Sequence, residues 1–132
     1  MSEYQHKSQE YEKAANYLGA QGISSAVAHP AYYSCFLLLL HIVTYSGSFD
    51  INDIDLRDSI NTGSHVNTIN IIHKFIHQYS KKDSGHFRSN MGELKRLRTS
   101  ADYSEDPFMM TDASRSITLM KYTLSILAKY FV

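Results

Sequence analysis

His29-Pro30-Ala31-Tyr32-Tyr33-Ser34-Cys35-Phe36-Leu37-Leu38-Leu39-Leu40-His41-Ile42-Val43-Thr44-Tyr45 is the stretch on which the fold turns. It passes more than a dozen residues without a turn signal, too long for the usual strand of about 4–8 residues. Pro30 suits a first helical turn, where a missing N–H is no loss. Apolar residues surround the axis instead of striping one side, so the stretch predicts a central, buried helix over about 29–45.

Working outward, the N-terminal side predicts a first helix from Glu3 to Leu18. Ser2 is its N-cap, Gly19 follows its end, and Tyr4, Tyr11, Ala15 and Leu18 share one face. Residues 20–25 read as a connection. On the other side, Ser46 to Gly63 is rich in Asp, Asn and Ser and predicts a long loop, with one short turn around 53–59. Ser64 then caps a third helix to about Ser80, with His65, Ile69, Ile72, Ile76 and Tyr79 at spacings of four, three, four and three. Lys81 to Gly85 is expected to break it. A fourth helix over about Asn90–Ala101 carries Met91, Leu94, Leu97 and Ala101 inward, and the segment holding Pro107 ends it. The fifth starts at Thr111 or Asp112 and runs to the C-terminus, with Ala113, Ile117, Met120, Leu124, Leu127 and Phe131 on its inner face. The expected architecture is all-α: a five-helix up-and-down bundle, one domain over 1–132, with a long loop between the second and third helices.

Composition agrees with a bundle. The 132 residues include only two prolines and six glycines, too few turn residues for an all-β domain. Thirteen basic side chains balance thirteen acidic ones, which excludes nucleic-acid binding by bulk charge and leaves only a local phosphate patch. Cys35 is the single cysteine, so no intramolecular disulfide is available and its apolar neighbours predict a buried thiol. Met1 to Glu10 has no apolar signal-peptide core. The most apolar run, Cys35 to Leu40, is far shorter than the roughly 20 residues that span a bilayer. A cytoplasmic protein without membrane contact is expected.

Few residues point to chemistry. His73 and His77 stand four apart on the third helix, a spacing that can hold zinc, but no Cys, Asp or Glu joins them there. Surface histidines are expected, with no metal and no cofactor. Phosphate-binding glycine loops and dinucleotide fingerprints are absent. The segment Lys95-Arg96-Leu97-Arg98-Thr99-Ser100-Ala101-Asp102-Tyr103 differs, because Lys95, Arg98 and Asp102 share one helical face. Two readings stand: an Arg98–Asp102 surface pair of about 0.3–0.5 kcal/mol, or a basic spot that grips phosphate bidentately.

The stretch Leu97-Arg98-Thr99-Ser100-Ala101-Asp102-Tyr103 resembles the Arg-x-x-Ala-Asp-Tyr signature of bacterial HEPN-domain proteins. Ala31-Tyr32-Tyr33-Ser34-Cys35-Phe36 is similar to the start of that family's central helix, and Gly63-Ser64-His65-Val66 to its third-helix start. The resemblance implies a helical bundle, commonly a homodimer, and in many members an RNase toxin paired with a nucleotidyltransferase-type antitoxin. It also implies that Arg98 stabilises a phosphate, while a histidine downstream of it helps move protons as an RNA 2′-hydroxyl attacks. Here Tyr103 stands where that histidine belongs, and no histidine follows. A phenol with a pKa near 10 is a poor base at neutral pH. His65 or His86 can substitute only if the fold brings one to the site. Arg98, Asp102 and Tyr103 are the candidate catalytic residues. RNA, a nucleotidyltransferase-type protein and a second copy of the chain are the expected partners. The alternative is a non-catalytic homodimeric helical interaction module.

Overall fold

The computed structural model describes residues 1–50 and 64–131. Among these, five α-helices and one short 3-10 turn form a bundle without strands: α1 (Glu3–Ala20), the turn Ser24–Ala26, α2 (Ala28–Tyr45), α3 (His65–His77), α4 (Lys81–Tyr103) and α5 (Met110–Tyr130). The loop expected over 46–63 falls mostly on residues 51–63, outside the described residues.

Local chemistry sets the boundaries. Ser2 caps α1 by accepting the Gln5 N–H at 3.1 Å, and Gly22 takes a positive φ just beyond its end. Gly19 lies inside α1 where the helix runs close to α5: a Cβ there would meet Ile117 Cδ1 at 2.6 Å. Ser64 caps α3 as expected, accepting from the Asn67 N–H.

The largest departure from the sequence reading is α4. It begins at Lys81, not near Asn90, and α3 ends at His77, not at Ser80. Ser80 starts the next helix by accepting the Asp83 N–H at 3.0 Å, and Asp83 adds a carboxylate in the first turn. Gly85, the last residue of the expected helix break, instead sits in open space on the surface of α4. α5 begins slightly earlier than expected because Asp112 accepts the Met109 N–H at 3.1 Å, which makes Met109 the cap.

α2 packs against all four other helices. Tyr32, Cys35, Leu39 and Ile42 from α2 meet Ile72 and Ile76 from α3, Phe87, Met91 and Leu94 from α4, and Met120 and Leu127 from α5 in one buried cluster. Each such large side chain stabilises the fold by roughly 1.5–3 kcal/mol relative to exposure. The Cys35 thiol is wholly buried, and burial pushes its pKa well up. Ser24–Tyr45 is, by length and composition, apolar enough to cross a membrane, which the short run Cys35–Leu40 did not suggest. Most of its apolar window is buried inside the bundle, so the other helices already cover that surface.

Candidate functional site

The three stretches that carry the family resemblance lie far apart in sequence, and the fold brings them together. Tyr32 and Tyr33 project from the second turn of α2, Arg98 from the last turns of α4, and His65 from the first residue of α3. The Arg98 guanidinium carbon lies 5.6 Å from the Tyr32 ring centroid and 5.5 Å from that of Tyr33. Its Nη1 donates to the Tyr33 hydroxyl at 3.4 Å. Cation–π contacts of this kind contribute about 0.5–2 kcal/mol, more as the site dries.

No carboxylate pairs with Arg98 among the described residues. The Arg98–Asp102 pair that helical spacing suggested is not formed: Asp102 Oδ2 lies 3.4 Å from His29 Nδ1 instead. Nearby Arg96 shows the contrast, pairing with Glu93 at 2.6 Å, and Glu93 also accepts from Arg115 at 3.4 Å. Arg98 also has a buried Nε without a hydrogen-bond partner. A buried donor left unpaired costs about 1–3 kcal/mol, more when charged. Among the described residues the guanidinium is therefore held by aromatic faces and a tyrosine hydroxyl, with no opposing charge.

His65 joins this cluster. Its ring stacks on Phe36, with centroids 4.0 Å apart, and its Nδ1 lies 2.7 Å from the Tyr32 hydroxyl. Burial lowers its pKa, and Lys95 and Arg98 lower it further. At neutral pH the imidazole is uncharged, and with Nδ1 engaged, Nε2 is the nitrogen left to meet a ligand. Burial raises the Tyr32 phenol, reinforced by Tyr33, so its hydroxyl stays protonated.

His29, at the start of α2, borders the other side. Its ring lies 4.7 Å from Tyr33 and 6.3 Å from Tyr11 of α1, centroid to centroid. The sequence reading missed it. The only signal was its position four residues before Tyr33, on the same helical face.

The candidate residues therefore separate. Arg98 enters the aromatic cluster, and Asp102 borders it through His29. Tyr103 does not: it is 77% exposed, and among the described residues it makes no hydrogen bond, ion pair or ring contact. It borders a shallow depression with Lys95, Arg96 and Thr99. His65 reaches the cluster, whereas His86 bonds the Tyr122 hydroxyl between α4 and α5. The His73 and His77 rings lie 5.8 Å apart, tilted by 30°, and no group of three metal-binding side chains exists among the described residues.

Arg98, the two tyrosines, Lys95 and two histidines thus form a partly buried patch of flat rings around a cation that has no carboxylate partner among the described residues. Phosphate next to an unsaturated ring is the ligand chemistry such a surface suits. Comparisons with family models, curated proteins and solved structures give no match to this chain.

Proposed function

We propose that the chain is a HEPN-like helical protein of a toxin–antitoxin or defence-type system that binds RNA by seating a backbone phosphate on Arg98. The observation that carries this reading is a guanidinium packed over Tyr32 and Tyr33 with no carboxylate partner among the described residues. Structural arginines usually sit opposite a carboxylate, as Arg96 does with Glu93. The meeting of the three family-like stretches in one cluster supports the reading, as does His65, which stands beside Arg98 although the expected downstream histidine is missing. A nucleotidyltransferase-type protein is the partner the resemblance implies, and the exposed Tyr103 hydroxyl is the group such a partner would reach.

The test is binding of a short single-stranded oligoribonucleotide, read by fluorescence anisotropy. Arg98→Ala should lose a charge-assisted hydrogen bond of about 1.5–3 kcal/mol, roughly ten- to hundredfold in Kd. Its melting temperature should stay close to that of the parent. Equal binding by both proteins removes the reading, and so does an Arg98→Ala chain that no longer folds.

A second reading, a homodimeric interaction module without catalysis, is favoured by Met109 and Met110, both well exposed where α4 passes into α5. Sedimentation separates it: a 15.1 kDa species at micromolar concentration argues against the homodimer, whereas a dimer that binds no RNA favours the module.

A further inference from the structure

Asp102 follows Arg98 by four residues on the same helix, the spacing at which opposite charges normally pair. Such a pair would place a carboxylate where a phosphate is to bind. Instead Asp102 Oδ2 turns to His29 Nδ1, 3.4 Å away. Two features favour this choice. Asp102 lies in the last turn of α4, where the helix dipole disfavours an anion, and His29 lies in the first turn of α2, where a helix favours one. His29 is itself held in place by packing against Tyr33 of its own helix and Tyr11 of α1.

We infer that His29 is a positioning residue: by holding Asp102, it keeps an internal competitor off Arg98 and leaves the guanidinium open to phosphate. This rests on the reading of Arg98 as the phosphate seat, and it assigns His29 a role that neither touches the ligand nor depends on bulk charge. Asp102 is then an intramolecular anion restrained a short distance from the place it would otherwise occupy. Without His29, the side chain needs only a rotamer change to reach Arg98.

The test is a double-mutant cycle with a short single-stranded oligoribonucleotide as probe. His29→Phe keeps a ring against Tyr33 and Tyr11 while removing the Nδ1 group. It should weaken binding by about tenfold or more, the loss expected when a charge-assisted contact is blocked. Asp102→Asn alone should stay within about threefold of the parent, because the carboxylate is already held away. Adding Asp102→Asn to His29→Phe should restore most of the lost affinity. His29→Asn, which keeps a side-chain N–H for Asp102, should bind nearly as the parent does.

Asp102→Asn tightening binding equally in both backgrounds would mean simple charge removal and would overturn the inference. A His29→Phe protein that binds as the parent does also overturns it. The ligand-free crystal structure of His29→Phe gives a readout independent of RNA: Asp102 should lie within ion-pair distance of Arg98, about 4 Å. If the parent binds no oligoribonucleotide, the RNA reading fails, while this structure still decides whether His29 restrains Asp102. An Asp102 that stays away from Arg98 there ends the proposal.

Discussion

The two ends of α4 handle charge in opposite ways. At the N-terminal end, Asp83 accepts from Lys129 Nζ at 2.8 Å and from the Tyr130 hydroxyl, and these bonds hold its carboxyl below the usual range. His86 bonds Tyr122 a turn further on. These partners come from α5, so this end ties two helices together. At the C-terminal end, Arg98 has, among the described residues, only aromatic faces and a tyrosine hydroxyl. Polar groups that brace a fold find their complements within it. A group left without one, at some cost to stability, is better explained by a ligand.

Four experiments can break or sharpen that contrast. Phe87→Ala removes a wholly buried ring between the two ends. It should cost about 3–5 kcal/mol, a large share of a typical stability of about 5–15 kcal/mol. Chemical denaturation should show both ends lost in one transition; a stable, RNA-binding variant would mean that the ends do not share a core. Arg98→Lys comes next. It keeps the charge but not the planar fork, so binding should weaken, while losing the stacking on two rings should lower stability by about 0.5–2 kcal/mol. A lysine protein that binds as the parent does would reduce the site to a point charge.

The third experiment uses pH. The folded protein holds His65 below its unfolded pKa of about 6.5. Below about 6.5 the unfolded chain carries more protons than the folded one, so stability falls as pH drops through that value. His41 and His73 are lowered too and act in the same direction. RNA affinity should move the opposite way, rising on acidification, because a bound phosphate favours the protonated imidazole beside it. His65→Gln should flatten the binding profile more than the stability profile; equal flattening of both would place His65 in the fold alone. The smallest effect belongs to Asp83→Asn, which should lower the Tm slightly and leave RNA affinity unchanged. A loss of affinity there would mean that the two ends are coupled.

Much of the fold was legible in the sequence. α2 is apolar around its axis, and α5 repeats a clean stripe from Ala113 to Leu127, so their burial follows from local pattern. α4 was half legible. Phe87, Met91, Leu94 and Leu97 carry its inner face, but the run from Lys81 to Gly85 reads as a break because its helix support is non-local. That support is the reach of Lys129 and Tyr130 to Asp83, which adds to the local Ser80 cap. The site was legible only as fragments. Periodicity places Arg98 and Asp102 on one face, but cannot show that His29, 73 residues before Asp102, takes the carboxylate. It also cannot show that Tyr103 turns away from the cluster. Those outcomes depend on which helices pack together, and one chain's spacing does not encode that.

Tyr32 belongs to both worlds at once. Its ring is sealed inside the bundle, yet it carries Arg98 on one side and offers its hydroxyl to His65. Any change that shifts this ring therefore moves the settings of Arg98 and His65 together, so the interior and the polar cluster share one side chain.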